Sequence, residues 1–410
     1  MSHEVEPRYG WVVVWACFTA LAVIFGIAYS FAAFFEPFGA EFGAARADIS
    51  LVFGVTGLVY FTLGAFGGML ADRFGPRVVT TAGMLLVAAA LVAGSRAGSM
   101  LQLTMAYGVV LGLGVALVYT PSIGCVQPWF TRRRGLAAGV ASAGIGAGTL
   151  LVPLAAAAAI GWWQWRGAML ALALFVALVG GAATLLLRPA PAARRSAGGA
   201  AVHGTPLGQA LASARFRWLY AMCLLGAPSM FVPFAHLSAA ARDIGVADAQ
   251  AVGLVGLIGI GSLTGRFAVG ALADRFGRAP ALVAVMASLG LSMLLWLAVT
   301  LGSMAVAPAY AALAIFALWM GLSYGGSVSL MPALCMDFFG ARAVSSIIGT
   351  LYTGAALGNL AGPWLAGRIF DASGSYATVI AGCALLSAAS TWAAWRASRA
   401  GGGVAAPGPA

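Results

Sequence analysis

Long apolar runs, separated by short polar breaks, leave few folds open to this chain. Runs such as 11–35 and 48–71 are longer than the roughly 20 residues that an α-helix needs to cross a bilayer. The 410 residues are 62% hydrophobic and only 8% charged, whereas a soluble domain carries roughly 25% charged residues. The pattern excludes an ordinary soluble fold and predicts an all-α membrane protein.

Twelve such runs can be placed between the polar, glycine and proline breaks of the sequence. The predicted transmembrane helices lie near 11–35, 48–71, 78–96, 100–126, 134–159, 166–187, 217–240, 250–272, 279–301, 305–335, 343–366 and 374–396. The first run follows Glu4 and Glu6 and is too long for a cleaved signal peptide. It is therefore interpreted as the first span.

The basic residues, all of them arginine, lie mostly in short connections between these runs. When the connections are assigned alternately to two sides, most arginines gather on one side, including Arg8, Arg77 and the 188–195 cluster. Cytoplasmic loops carry such an excess of positive charge. Both termini are therefore predicted to be cytoplasmic, and a nucleic-acid partner, which the net charge of +11 could suggest, is not expected.

The cysteines show no paired spacing that would predict a disulfide framework or a metal site. Each lies inside an apolar run, which favours a packing role, and no cofactor is expected. They are Cys17, Cys125, Cys223, Cys335 and Cys383.

A segment without apolar periodicity divides the chain near its middle. It is rich in Ala, Pro, Gly and Arg, and this composition is typical of a linker. The sequence predicts two six-helix halves and a cytoplasmic linker that ends in a short surface helix near 207–215. The predicted boundaries are 1–187 and 217–399 for the halves, 188–216 for the linker and 400–410 for a disordered, glycine-rich tail.

An internal repeat supports this division. The run Leu-Ala-Asp-Arg-Phe-Gly at 70–75 recurs unchanged at 272–277. A second set of residues also matches at a constant offset, with Gly144, Gly148 and Pro153 corresponding to Gly354, Gly358 and Pro363. Parallel repeats of this kind are typical of transporters whose halves rock about a central site, and they predict pseudo-symmetry between the halves.

The repeated Gly-x-Leu-Ala-Asp-Arg-x-Gly signature resembles the loop between the second and third helices of the major facilitator superfamily. The resemblance covers the chain from about Arg8 to Arg396 and implies that fold. Charges at these helix ends can form a latch that closes the cytoplasmic side and breaks when the halves rock. The candidate latch residues are Asp72, Arg73, Asp274, Arg275, Arg132, Arg133 and Arg134.

Three shorter segments resemble the monocarboxylate porter branch of that superfamily, which includes oxalate and formate exchangers. They are Tyr-Gly-Trp-Val-Val-Val at 9–14, the Trp-Phe-Thr-Arg-Arg-Arg-Gly run that begins at Trp129, and Gly265-Arg266. This resemblance implies a secondary active transporter of small carboxylate anions such as lactate or pyruvate. It would work by alternating access, with proton symport or anion exchange, as a monomeric unit in a bacterial inner membrane.

Arg266 is the most informative single residue, because it lies well inside the predicted eighth span. A cation at that depth is costly unless it has a function or a partner. Its guanidinium matches a carboxylate with two parallel hydrogen bonds and keeps its charge. The family resemblance implies that it binds the substrate, and the alternatives are an internal ion pair or a side chain that reaches the cytoplasmic end.

Several charged residues of related porters are missing here. Animal monocarboxylate porters carry an aspartate one helical turn before the arginine, where this chain has Ser262, and a lysine in the first helix, whereas this chain has no lysine. Oxalate exchangers carry a second cation in the eleventh helix, but 343–367 contains no Arg, Lys or His. One cation favours a substrate with one carboxylate.

His236 is the only histidine inside a predicted span. An imidazole can gain or lose a proton near physiological pH, so His236 is a candidate for coupling proton movement to transport. An equally good interpretation is a histidine that joins helices by hydrogen bonds. The proton could also travel with the substrate or with water.

Tyrosines in four predicted helices are candidates for a substrate cage with aromatic walls and hydroxyl tips. Tyr119, followed by Thr120 and Pro121, has support from the family resemblance as a carboxylate ligand. Packing is the alternative role for the others, which are Tyr29, Tyr324 and Tyr352.

Other functions stay open at this point. The chain has no phosphate-binding loop, no His-Glu-x-x-His motif and no nucleophile with a plausible base, so an enzyme is not expected. The alternatives to a monocarboxylate transporter are a dicarboxylate exchanger of the oxalate and formate type, an exporter of amphipathic compounds, and a membrane sensor that does not transport.

Overall fold

The computed structural model describes residues 8–130, 134–190, 204–340 and 342–400. Arg132 and Arg133 of the predicted latch, most of the predicted linker and the tail after Ala400 lie outside the described residues. The described chain is built of long helices joined by short turns.

The twelve predicted transmembrane helices are confirmed. Ten helical stretches are long and apolar enough to cross a membrane, and one of them, Leu136–Leu185, holds two spans because the backbone leaves helical geometry at Gln164. Val344–Ser373 completes the set. In chain order we name α1 Arg8–Phe42, α2 Arg46–Phe74, α3 Pro76–Ser95, α4 Met100–Val126, α5 134–163, α6 165–185, α7 Ala214–Asp243, α8 Asp248–Phe276, α9 Arg278–Leu301, α10 Val306–Phe339, α11 Val344–Ser373 and α12 Ala377–Arg399.

The ends of the helices extend beyond the predicted apolar runs. For example, α8 begins at Asp248 and ends at Phe276, whereas the apolar run covers 250–272. Charged residues at helix ends interrupt an apolar run without interrupting the hydrogen-bonded backbone, which explains the difference. The short helix after the linker covers Leu207–Ala212 and is separated from α7 by extended backbone at Ser213.

The duplicated Leu-Ala-Asp-Arg-Phe-Gly run forms the same turn in both copies. Gly75 has φ of 87° and Gly277 has φ of 93°, a region that favours glycine. Each glycine N–H donates back into the helix that it terminates, at 2.8 Å to the carbonyl of Ala71 and 2.9 Å to that of Ala273. The sequence repeat is therefore also a structural repeat.

The helices pack in two matching sets. In the first half α1 packs on α5 and α2 on α4, and in the second half α7 packs on α11 and α8 on α10. The halves meet where α2 contacts α11 and where α5 contacts α8, which are again equivalent pairs. The molecule therefore has two pseudo-symmetric six-helix halves with a common interface between them.

Glycines let the paired helices approach to backbone contact. A Cβ atom built on Gly148 of α5 would lie 2.0 Å from the carbonyl oxygen of Ala22 of α1. In the second half, a Cβ atom on Gly325 of α10 would lie 2.0 Å from the carbonyl oxygen of Ser262 of α8. The second contact is one helical turn from Arg266, so this packing positions the arginine.

The outer surface of the bundle is apolar. Large side chains such as Leu101, Leu174 and Leu385 are 60–73% exposed. A contiguous exposed surface of this kind is unfavourable in water and is stable against lipid tails. The chain is therefore a multi-pass membrane protein.

Candidate functional site

A cavity of about 70 Å³ lies between the two halves. Its walls are mainly apolar and include Phe25, Phe61 and Ile145 from the first half and Phe231 and Met331 from the second. The polar and ionisable side chains that line it are Tyr60, Tyr119, Cys223, Arg266, Tyr324, Ser327 and Tyr352. Both halves thus contribute to a single site in the centre of the fold.

Arg266 is directed into this cavity by the packing of α8. Glycines at positions 261 and 265 press α8 against α10, where a Cβ atom on Gly265 would lie 2.1 Å from the carbonyl oxygen of Leu322. Successive helical residues are rotated by about 100°, so the residue after Gly265 lies beside the contact with α10 and not within it. Arg266 therefore lines the cavity, as the sequence led us to expect for a substrate ligand.

The guanidinium of Arg266 lacks partners in the described chain. The side chain is 6% exposed, and its Nε and Nη2 atoms are buried without a hydrogen-bond acceptor among the described residues. Buried polar groups are nearly always hydrogen-bonded, and an unpaired buried cation is especially costly. The site therefore has two unused N–H donors on one edge of a buried guanidinium.

Three of the four candidate tyrosines line the cavity with Arg266, namely Tyr119, Tyr324 and Tyr352. Tyr119 lies on α4, Tyr324 on α10 and Tyr352 on α11. The aromatic ring of Tyr119 also packs edge-on against Phe25, with 5.2 Å between ring centroids. The polar part of the cavity therefore combines phenol hydroxyls with a guanidinium.

Tyr29 has a different position from the one expected for a substrate ligand. It does not line the cavity; its hydroxyl lies 3.0 Å from the hydroxyl of Tyr324, and its ring stacks on Phe234 with 4.0 Å between centroids. It is 1% exposed. Tyr29 therefore lies in the wall behind Tyr324 and not among the residues that line the cavity.

Tyr60 and Phe61 of α2 also line the cavity and were missed by the sequence analysis. The runs around them are uniformly apolar, so no periodicity marks the face that they share. A contact seen only in the structure explains the position of Phe61. Gly57 contacts Asn359 of α11, and a residue four positions later lies on the same helical face, which places Phe61 toward the interface.

His236 is fully buried and hydrogen-bonded, and it does not line the cavity. Its Nε2 atom lies 2.8 Å from the carbonyl oxygen of Pro363 and 2.9 Å from Ser50 Oγ, and its Nδ1 atom lies 3.0 Å from the hydroxyl of Tyr376. A carbonyl oxygen only accepts hydrogen bonds, so Nε2 carries a proton. This placement favours the second sequence interpretation, in which His236 joins helices, over direct proton coupling at the substrate.

One end of the interface between the halves is closed around Arg46 of α2. Its guanidinium forms a bidentate ion pair with Asp243 of α7, at 2.6 and 2.7 Å. It donates at 2.8 Å to the hydroxyl of Tyr376 and lies 3.9 Å from the ring centre of Phe370. The backbone N–H of Arg46 donates to Asp371 at 3.1 Å. All of these partners belong to the second half, and we call this set the Arg46 end.

The opposite end carries the duplicated signature and has no equivalent closure between described side chains. Asp72, Arg73 and Arg275 are exposed and form no ion pair with another described residue. Arg73 lies 5.2 Å from the ring of its neighbour Phe74. Of the other candidate latch residues, Arg132 and Arg133 and the side chains of Arg134 and Asp274 lie outside the described part. The latch therefore stays a prediction for the state in which this end closes.

Comparison with known proteins gives consistent matches over nearly the whole chain. The family model of the Major Facilitator Superfamily matches residues 16–363. Monocarboxylate transporter 13 of Bos taurus is 31% identical over 400 residues, covering 93% of this chain and 89% of that protein. Monocarboxylate transporter 3 of Rattus norvegicus is 33% identical over 393 residues, covering 91% and 76%.

A solved structure with the same fold is a bacterial homologue of the human lysosomal transporter Spinster, in an inward-facing and occupied conformation. It superposes with a TM-score of 0.75 at 16% identity and covers 97% of this chain and 98% of that chain. At this low identity the likeness concerns the fold alone.

Proposed function

Because this chain belongs to the major facilitator superfamily, and within it to the monocarboxylate transporter branch, we propose that it carries a small monocarboxylate across the membrane by alternating access. The observation that supports this most strongly is Arg266, whose Nε and Nη2 atoms are buried in the cavity without partners among the described residues. A carboxylate supplies both the missing charge and the missing acceptors.

The two free donors of Arg266 suit a carboxylate in particular. Nε–H and Nη2–H lie on one edge of the planar guanidinium, so each can donate to one oxygen of the same carboxylate. The hydroxyls of Tyr119 and Tyr324 on neighbouring cavity walls can donate to the remaining lone pairs. The apolar walls then hold the carbon chain.

The single cation and the small volume of the cavity limit which substrates it can bind. No second basic side chain of the described residues lines the cavity, so the second carboxylate of oxalate would lie against apolar walls without a partner, which is unfavourable. A cavity of about 70 Å³ holds roughly five to seven water-sized groups at about 10–15 Å³ each. These features support a short monocarboxylate over a dicarboxylate or an amphipathic drug.

The asymmetry of the two ends supports alternating access. The Arg46 end is held shut by contacts between the halves, whereas Asp72, Arg73 and Arg275 at the other end are exposed. From the arginine distribution we propose that the end with the duplicated signature faces the cytoplasm and that both termini are cytoplasmic. The heavy use of Ala, Gly and Arg and the absence of lysine support a bacterial inner membrane. The candidate latch would close that end when the Arg46 end opens.

The test of this function is uptake into proteoliposomes that contain the purified protein. We expect saturable uptake of labelled pyruvate or L-lactate, at least about tenfold faster than that of oxalate or succinate, because the unpaired carboxylate costs about 1.4 kcal/mol or more. Faster uptake of a dicarboxylate would contradict the substrate class. Pyruvate binding without uptake would favour a sensor, and transport of amphipathic dyes alone would favour an exporter.

Replacing Arg46 by alanine should open the Arg46 end more often. The change removes the ion pair with Asp243, which is partly exposed to solvent, and the contact with the Phe370 ring. Together these contribute about 1–2 kcal/mol, so labelling of the cavity residue Cys223 by an impermeant thiol reagent from that side should rise at least about fivefold. The other four cysteines are first replaced by alanine.

Arg242 provides the matched control for this experiment. It also forms an ion pair at this end, with Asp248 at 2.7 Å, but both residues belong to the second half. Arg242→Ala should therefore leave the labelling rate of Cys223 within about twofold of the parent, because its ion pair lies within one half and does not join the two halves. Equal rates for Arg46→Ala and Arg242→Ala would show that Arg46 does not hold the halves together.

A further inference from the structure

Positive charge is concentrated at the end of the bundle where α7 begins and α12 ends. Arg215 lies in the first turn of α7, and Arg396 and Arg399 lie in the last turn of α12. No acidic residue occurs in 207–220 or in 374–400. The two segments therefore cannot balance this charge between them.

Arg215 already has partners inside the protein. Its guanidinium donates to the carbonyl oxygens of Ala397, at 3.3 Å, and of Ala400, and it lies 4.4 Å from the ring centre of Phe338. The last carbonyls of a helix have no partner within the helix, so Arg215 caps α12 and fixes α7 against it. The acidic residue next to this ring, Asp337, is already ion-paired. Arg215 is therefore a structural residue.

Arg396 and Arg399 are exposed and form no ion pair with another described residue. The guanidinium of Arg396 lies 5.0 Å from the ring centre of Trp218 and 5.3 Å from that of Trp392, and that of Arg399 lies 4.5 Å from the ring centre of Trp395. Trp218 and Trp392 pack edge-on, with 4.8 Å between centroids. A cation–π contact restrains a guanidinium but supplies neither a full negative charge nor an oxygen acceptor. Both groups are therefore held in place and available to an anion.

The exposed residues of α12 change from leucine to tryptophan to arginine along the helix. Leu385 is 73% exposed, Trp392 49% and Trp395 38%. The 23 residues of α12 span about 35 Å, close to the roughly 30 Å of a hydrocarbon core, and Arg396 lies about 16 Å beyond Leu385 along the axis. The indoles therefore lie near the membrane–water interface, where tryptophan is enriched, and Arg396 and Arg399 lie at the depth of the lipid phosphates.

We propose that this surface binds an anionic phospholipid, with its phosphate held by Arg396 and Arg399 and an acyl chain along Leu385. Residues three apart on a helix are neighbours, so one phosphate can accept hydrogen bonds from both guanidinium groups, which match phosphate oxygens in pairs. A zwitterionic lipid carries its own cation and balances less of the charge. The site is separate from the central cavity, and only its assignment to the cytoplasmic leaflet rests on the orientation proposed above.

Native mass spectrometry of the purified protein, titrated with phosphatidylglycerol or with phosphatidylcholine of the same acyl chains, tests this proposal. The wild type should bind its first phosphatidylglycerol at least about tenfold more tightly, because each arginine near an anionic headgroup contributes about fivefold. The double variant Arg396→Gln, Arg399→Gln should lose most of this preference. The double variant Arg8→Gln, Arg77→Gln is the matched control, since it removes two exposed arginines from helix ends of the first half and should keep the preference within about twofold.

Three results would overturn the proposal. Equal binding of the two lipids by the wild type would do so without any variant, and equal losses in the two double variants would show a general attraction of positive charge for anionic lipid. Displacement of the bound phosphatidylglycerol by millimolar inorganic phosphate would assign the arginines to a soluble anion. Pyruvate transport enters none of these measurements, so a failure of the proposed function is distinguishable from a failure of the lipid site.

Discussion

Arg266→Ala is expected to reduce pyruvate binding and uptake at least about 30-fold. Truncating one partner of a buried, hydrogen-bonded charge pair costs about 2–5 kcal/mol, and the described cavity offers no second cation that could replace it. Arg266→Lys keeps the charge but loses the planar pair of donors, so it should recover only a small part of the loss. Binding and uptake are measured on the same protein preparations.

Replacing Arg266 by an uncharged residue should not destabilise the protein. The guanidinium is buried without acceptors in the described chain, so its removal relieves an unfavourable burial. We therefore expect Arg266→Met, which keeps much of the side-chain volume, to have a melting temperature in detergent equal to or above that of the wild type. Loss of binding with retained stability would identify Arg266 as a ligand and not as a structural residue.

Arg278→Ala is the matched control for these variants. Arg278 also lies on a helix of the second half, but it pairs with Asp337 at 2.8 Å near the end of the bundle, and both side chains are partly exposed. Exposed ion pairs contribute roughly 0–1 kcal/mol, so pyruvate affinity should stay within about twofold of wild type. An equal loss in Arg278→Ala would point to a general effect of removing positive charge.

Gly325→Ala is expected to destabilise the protein more than most single methyl additions. The new Cβ atom would lie 2.0 Å from the carbonyl oxygen of Ser262, and backbone atoms of a packed helix cannot move aside cheaply. Overpacking of this kind costs about 1–3 kcal/mol. We expect a lower melting temperature and lower uptake, because the shift of α10 also moves Tyr324 relative to Arg266.

Gly270→Ala tests whether the loss of stability in Gly325→Ala arises from the close contact between α8 and α10. Gly270 lies on α8, where a Cβ atom would meet nothing within 4 Å. Alanine is favoured over glycine within a helix by about 1 kcal/mol, so this variant should be as stable as the wild type or more stable. If both variants lose stability to the same extent, the close contact between α8 and α10 is not the cause.

The sequence predicted the number and order of the helices because the bilayer imposes one requirement on each of them. A span such as α3 must be long, apolar and internally hydrogen-bonded, and these properties are visible in the residues themselves. The turn at Gly75 and its copy at Gly277 were predicted from a repeat of six letters. Arg266 was found in the same way, since an isolated cation within an apolar run has few explanations other than function.

The sequence did not predict which aromatic residues face the cavity. Helices that are apolar on all sides lack the periodicity that would mark their inner face. Tyr29 was therefore predicted to line the cavity, and Tyr60 was not. The role of His236 was uncertain from the sequence for another reason. Its partners Ser50, Pro363 and Tyr376 come from distant parts of the chain, and no local pattern brings them together.

The most direct test of the central claim is a structure of the protein determined with pyruvate bound. We predict that the two carboxylate oxygens accept hydrogen bonds from Nε and Nη2 of Arg266 at about 2.7–2.9 Å, inside the cavity lined by Tyr119 and Tyr324. A carboxylate bound to other side chains, with the Nε and Nη2 atoms of Arg266 still unpaired, would contradict the account.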